Sequence, residues 1–319
     1  MSRLSYAFLL ALVVCMAQTP TLLAQEKAGQ KLEINVWDGP APGSDALKGI
    51  PGLPFEYITP KLTVLLPPAD KRNGSLVLVV PGGGYMYCSA SGEGFKVADW
   101  ILERGVAAAV LQYRRNIFQD KDKKLNRVYD ANVALEDAMR SMRIIRSHAD
   151  EWGIKADKIG VMGFSAGGHI AATMAVHPEN GAPAASDPLG KFSTRPDFMV
   201  LVYPLTSMAP PWAGACWRDN LIGKDFDPKL AEYYSCQKHV TSGTPPGFIV
   251  CAGDDFTVQD SLAMYQAMKA KHVPCELHIF ERGGHGYGMT KPGVTVTKCW
   301  PPLFEEWLKG RGIIPTARN

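Results

Sequence analysis

Five residues constrain this chain more than any others. Gly163-Phe164-Ser165-Ala166-Gly167 follows the apolar run 159–162 and leads into small residues, with Ala166, Ile170, Thr173 and Met174 at helical spacing. An apolar run feeding directly into such a pattern predicts a strand-to-helix elbow with Ser165 at its apex. That turn is sharp and strained, and glycines two residues to either side keep side chains out of the neighbouring sheet and helix. Ser165 is therefore the candidate nucleophile.

An elbow serine needs a base to take its proton and a carboxylate to orient that base. Both follow downstream. Segment 248–252 reads as a buried strand entering Gly253-Asp254-Asp255, and 275–280 as the next, entering Arg282-Gly283-Gly284-His285-Gly286-Tyr287-Gly288. His285 is the candidate base, and Asp254 and Asp255 are the two candidate acids. The order Ser, Asp, His is neither that of chymotrypsin nor that of subtilisin. Upstream, the apolar strand 76–80 ends in Pro81-Gly82-Gly83-Gly84-Tyr85. Glycines at the C-terminal end of a strand let amides point inward, so Gly83 and Gly84, with the amide of Ala166, are candidates for an oxyanion hole.

Three stretches, PGGGY (81–85), GFSAGGHIA (163–171) and ELHIFERGGHGYG (276–288), resemble the carboxylesterases of the α/β-hydrolase superfamily. Within it the chain most resembles the bacterial esterase/lipase group that includes acetyl xylan and feruloyl esterases, over about residues 76–308. The resemblance implies an acyl-ester hydrolase working through Ser165, His285 and one aspartate of the 254/255 pair. The D-x-x-V spacing from Asp255 to Val258 matches related hydrolases and favours Asp255, leaving Asp254 as a loop residue that hydrogen-bonds locally. Pro81 stands where many lipases carry histidine, which argues against those subgroups. The loop after Asp255 is also shorter than the family's proline-containing loop. The implied substrate is a carbohydrate ester of the acetyl xylan type, with a feruloyl or other aryl ester next. Tyr85, Trp212 and Trp217 are the candidate substrate contacts, since an exposed ring can stack on a sugar or aryl group. A serine peptidase of the prolyl-oligopeptidase type uses the same order, but this length leaves no room for a propeller. A non-catalytic binding module is disfavoured because Ser165, Asp255 and His285 are all present.

The mechanism demands an unprotonated imidazole, so activity is expected to fall below about pH 6. His169 and His278 read as packed, hydrogen-bonded residues. There is no H-E-x-x-H, no paired C-x-x-C, no acidic calcium loop and no P-loop Lys-Ser/Thr, so neither a metal nor another cofactor is implied.

Composition sets the remaining bounds. With 319 residues, 46% of them hydrophobic, the chain can bury a full core as a single domain. A formal charge of +3 with 20% charged residues and no basic stripe excludes nucleic acid as the expected partner, and the 121–124 cluster reads as a solvated loop. Arg3 before the apolar stretch 6–17, with Ala17 and Ala24 as cleavage candidates, resembles a signal peptide over 1–24 and implies a secreted or periplasmic protein. The apolar run is too short for a stable membrane span. A lipoprotein signal at Cys15 is a further reading. The mature chain, 25–319, then carries six cysteines, which permit 15 connectivities. A Cys216–Cys236 clip and buried free thiols both stand open.

Apolar strands alternate with helical patterns, the signature of a mostly parallel sheet covered by helices on both faces. Strands are expected at 62–66, 76–80, 106–113, 159–162, 198–203, 248–252 and 275–280. Helices are expected around 97–102, 134–148, 166–174, 264–268 and 303–308. The Pro- and Gly-rich stretch 204–247 interrupts the alternation and reads as an insertion over the active-site edge.

Overall fold

A computed structural model describes residues 29–129, 132–209, 212, 215–225 and 227–316; the expected signal segment lies outside them. Eight strands form one sheet: β1 (Gln30–Asn35), β2 (Lys61–Leu66), β3 (Leu76–Val80), β4 (Ala107–Gln112), β7 (Ile159–Phe164), β8 (Met199–Val202), β9 (Gly247–Ala252) and β10 (Cys275–Phe280). Their order is β1-β2-β4-β3-β7-β8-β9-β10. The β1–β2 and β2–β4 pairs are antiparallel, and every pair from β4 to β10 is parallel. Every residue of β3, β7, β8 and β9 is buried. That is why these strands are continuous apolar runs: a parallel strand with helices on both faces has no solvent side to mark.

Two helical layers supply that cover. On one face lie α2 (Val133–Ser147), α3 (Ala166–Val176) and α6 (Val258–Ala270), contributing Met142, Ile145, Ile170, Met264 and Met268 to one core. On the other lie α1 (Lys96–Leu102) and α7 (Val296–Gly310), contributing Val97, Ile101, Trp300 and Phe304. Asn132 caps α2 by accepting a hydrogen bond from the Leu135 amide at 3.1 Å. The last helix begins seven residues before the expected start at 303 and runs through Pro301 and Pro302. Its buried Val296, Trp300, Phe304 and Trp307 fall on one helical face, and that packing outweighs the two missing amide donors.

The interruption at 204–247 holds two short helices, α4 (Ala215–Ile222) and α5 (Pro228–Tyr233). Its ends belong to the body of the fold. Thr206 and Ser207 amides donate to Asp260 Oδ1 at 2.8 and 2.7 Å, and the Cys236 amide donates to the Thr206 carbonyl at 2.8 Å. Burial pushes the Asp260 carboxyl up to about 6. Cys236 is a free, buried thiol lying 3.3 Å from Thr173 Oγ1, which corrects the Cys216–Cys236 clip; the Cys216 side chain lies outside the description. The 121–124 cluster is the exposed tip of a hairpin formed by β5 (Ile117–Gln119) and β6 (Leu125–Arg127). No helix among the described residues is long and apolar enough to cross a membrane.

A buried ion pair anchors the edge of the sheet. Arg114, just past β4, lies with its side chain fully enclosed and donates to both carboxylate oxygens of Asp137 on α2, with Nη2 at 2.8 Å and Nε at 3.0 Å. Trp37 Nε1 donates to the same carboxylate at 2.8 Å, and Arg114 Nη1 to the Pro42 carbonyl at 2.5 Å. Removing one partner would strand the other charge in the core. Asp137→Ala is therefore expected to lower unfolding free energy by about 3–5 kcal/mol in a urea titration.

Candidate active site

The elbow takes the form its glycines permit. Ser165 sits between β7 and α3 with φ 51° and ψ −118°, a conformation costly for a residue with a side chain. A Cβ on Gly163 would lie 2.2 Å from the Gly167 carbonyl oxygen, and one on Gly167 would lie 2.1 Å from the Val80 carbonyl oxygen. Only glycine allows the strand, turn and helix to approach so closely. The result presents Ser165, 9% exposed, at the C-terminal edge of the sheet.

His285 Nε2 lies 2.7 Å from Ser165 Oγ, and His285 Nδ1 lies 2.9 and 3.0 Å from Asp255 Oδ2 and Oδ1. Asp255 is buried and also accepts from the Thr257 amide at 2.9 Å, which fixes its orientation. Ser165, His285 and Asp255 are thus joined in one chain of hydrogen bonds. Asp254 is bonded instead to the backbone of the histidine loop. It accepts from the Gly284 and Gly283 amides at 2.8 and 2.9 Å, and those amides, Gly284 foremost, hold its carboxyl below the usual range.

The glycine run lies beside this chain. A Cβ on Gly82 would stand 3.0 Å from Ser165 Cβ, so the end of β3 abuts the elbow. Gly83 and Gly84 follow with φ 139° and 60°, and a Cβ on Gly83 would lie 1.9 Å from the Tyr87 carbonyl oxygen. Ala166 is the first residue of α3, where amides have no intrahelical acceptor.

Tyr85 requires correction. It is fully buried, and its hydroxyl lies 2.5 Å from His169 Nδ1, so the ring is sealed in the core and cannot line a substrate cleft. His169 Nε2 lies 2.8 Å from the Tyr234 carbonyl, and burial lowers the imidazole to about 4. The neutral ring therefore donates from Nε2 to the carbonyl and accepts the Tyr85 hydroxyl proton at Nδ1. His278 lies on β10 against Glu276 Oε1 at 2.6 Å. Trp212 is 40% exposed, and no ring contact joins it to the Ser165–His285 pair among the described residues. Trp217 is joined to that pair through Phe256: the two rings stack at 5.0 Å, and Phe256 lies 4.5 Å from the His285 ring.

Two further residues escaped the sequence reading. Glu93, 8% exposed, accepts from the Gly82 amide at 2.8 Å through Oε2 and from the Tyr203 hydroxyl at 2.7 Å through Oε1. The Tyr203 oxygen in turn accepts from the Gly288 amide at 2.9 Å, while its ring packs 4.9 Å from His285. One buried carboxylate thereby ties the glycine loop to the loop that carries the histidine. Burial pushes the Glu93 carboxyl up, opposed by its Tyr203 and Gly82 hydrogen bonds. The second residue is Asn220 on α4, whose Nδ2 donates to the Gly84 carbonyl at 2.8 Å. The end of α4 is held in place by Arg127, which donates to the carbonyls of Asn220 and Leu221 at 2.9 and 2.7 Å. The only sequence signal for Glu93 is an acid within a glycine-rich segment, and Asn220 has none.

Known proteins share this arrangement of elements. A family model for the alpha/beta hydrolase fold matches residues 129–289, and one for the carboxylesterase family matches residues 55–182. An acetylxylan esterase of Xylanibacter ruminicola is 32% identical over 225 residues, covering 69% of this chain and 42% of that protein. Endo-1,4-beta-xylanase B of Butyrivibrio fibrisolvens is 34% identical over 222 residues, covering 68% and 33%. The chain thus matches less than half the length of these two curated relatives. The crystal structure of an acetyl ester-xyloside bifunctional hydrolase from Caldicellulosiruptor lactoaceticus superposes with a TM-score of 0.77 at 33% identity, covering 90% of this chain and 98% of that one. With this fold, this element order and these relatives, the chain belongs to the α/β-hydrolase family, in its esterase group.

Proposed function

We propose that the protein is a serine carboxylesterase that removes acetyl groups from a carbohydrate, in the manner of an acetyl xylan esterase. One observation carries the reading: the Ser165–His285–Asp255 chain, with links of 2.7 and 2.9 Å, set beside the glycine run after β3. The names of the relatives support the carbohydrate ester as substrate.

In this mechanism neutral His285 takes the Ser165 proton as Oγ attacks the ester carbonyl. Asp255, bonded at Nδ1, holds the tautomer that leaves Nε2 free to accept. The tetrahedral oxygen is stabilised by the amides of Ala166, Gly83 and Gly84, aided by the positive N-terminal end of α3. His285 then donates its proton to the leaving alcohol, and water, activated by the same imidazole, releases acetate and restores Ser165. Glu93 acts by position: it holds Gly82 and, through Tyr203, the backbone beyond His285, so both loops keep their spacing during the cycle.

Ser165→Ala is expected to lower kcat on an aryl acetate by at least about 10³-fold while preserving cooperative unfolding. Retained turnover would remove Ser165 from the mechanism. Asp255→Asn is expected to lower kcat by about 10³-fold and Asp254→Asn by less than about tenfold, and the reverse ranking would reassign the acid. For Glu93→Gln, the amide replaces one of two acceptor oxygens, leaving a Gly82 or Tyr203 donor unmatched. A fall of about 10- to 100-fold in kcat with little change in KM is expected from steady-state kinetics, and an unchanged kcat would show that the brace has no part in turnover.

A further inference from the structure

We infer that Tyr85 and His169 form a positioning pair for the oxyanion hole, tying the glycine loop to the nucleophile helix so that the Gly83 and Gly84 amides keep their place beside Ser165. This role rests on the serine esterase reading above and adds to it two residues outside the triad.

The three amides assigned to the tetrahedral oxygen come from two separate elements: Gly83 and Gly84 from the loop after β3, and Ala166 from the first turn of α3. They act on one oxygen only if both elements hold them within about 0.5 Å of the productive geometry. Glu93 steadies the glycine loop at the Gly82 amide and Asn220 at the Gly84 carbonyl, but neither side chain bonds to α3. Tyr85 does. Its hydroxyl donates to His169 Nδ1 at 2.5 Å, and His169 lies one turn beyond Ser165, with its amide donating to the Ser165 carbonyl at 3.1 Å. Among the described residues this is the one side-chain hydrogen bond between segment 82–89 and α3.

The loop needs such an anchor. Gly83, Gly84 and Tyr85 have φ of 139°, 60° and 62°, so a bulky residue holds a left-handed conformation that persists only where its surroundings impose it. The carbonyls are fixed by the backbone: Gly82 accepts from the Ser89 amide at 3.0 Å, Gly83 from the Met86 and Tyr87 amides at 3.0 and 3.1 Å, and Tyr85 from the Ile117 amide at 3.2 Å. The amides of Gly83 and Gly84 donate to no described residue and can meet an oxygen of the substrate. The direction of the Tyr85–His169 bond is set from the far side. His169 Nε2 donates to the Tyr234 carbonyl at 2.8 Å, which leaves Nδ1 bare and obliges the Tyr85 hydroxyl to donate. Both side chains are fully buried, so solvent does not compete for the bond.

Tyr85→Phe removes the donor and keeps the ring. In steady-state kinetics on an aryl acetate it should lower kcat about tenfold with less than about a twofold change in KM. Trifluoroacetophenone separates positioning from packing: Ser165 Oγ adds to its carbonyl carbon, the Ser165 proton passes to His285 Nε2, and the hemiketal oxyanion takes the place of the tetrahedral oxygen. Its inhibition constant should rise by the same factor of about ten. His169→Asn, whose Oδ1 stands where Nδ1 stood and can accept the same hydrogen bond, should keep kcat within about threefold of wild type, whereas His169→Leu should match Tyr85→Phe. The two His169 variants carry the same comparison if Tyr85→Phe does not unfold cooperatively. An unchanged kcat, a lower kcat with an unchanged inhibition constant, or a loss in His169→Asn as large as in His169→Leu overturns the positioning pair and leaves the esterase reading standing. A wild-type protein that neither cleaves the aryl acetate nor binds trifluoroacetophenone overturns the esterase reading itself.

Discussion

Everything at the site depends on one strained residue. Ser165 keeps a positive φ with a side chain attached, at a cost of roughly 1–3 kcal/mol, because the strand before it and the helix after it leave no alternative path. Gly163 and Gly167 make that confinement sterically feasible, and the parallel strands around β7 make it rigid. The strain is carried by the whole sheet. It directs a hydroxyl out of the C-terminal edge of the sheet, toward His285.

The loops that serve Ser165 are fixed separately and then joined to one another. Asp254 accepts two amides of the histidine loop, Asp255 accepts a third amide from its own turn, and Glu93 spans from Gly82 to Tyr203. A buried carboxylate accepting hydrogen bonds from two loops converts loose glycine-rich segments into a frame. Both donors oppose the desolvation it suffers, so losing either leaves the buried carboxylate less well matched.

Much of this was legible in the sequence, for identifiable reasons. Strands buried on both faces leave unbroken apolar runs, so β3, β7, β8 and β9 are legible in the sequence, and the glycine-flanked serine between strand and helix is visible as an elbow. Chain order left Asp254 and Asp255 both open, and the resemblance of residues 255–258 to the D-x-x-V of related hydrolases favoured Asp255, the residue that lies 2.9 Å from His285 Nδ1. The misreadings have physical causes too. Tyr85 adjoins the glycine run in sequence, but its φ of 62° turns the ring inward onto His169. Glu93 and Phe256 carry no pattern of their own: each owes its place to partners far away in the chain, and only the folded sheet brings Gly82, Tyr203 and Glu93, or Trp217, Phe256 and His285, together. The first strand was missed because its half-exposed alternation of Lys31, Glu33 and Asn35 gives a polar edge rather than an apolar run. The last helix was shortened because two prolines obscured a buried face.

The position of Asn220 has a consequence for how such a protein can change. Trp217 and Asn220 lie three residues apart on α4, close to one face of the helix, with one stacked on Phe256 and the other holding a carbonyl of the glycine loop. A tilt or rotation of α4 would therefore move Phe256, beside His285, and the glycine loop, beside Ser165, together. One short helix links the two loops mechanically, so neither can shift through α4 without the other.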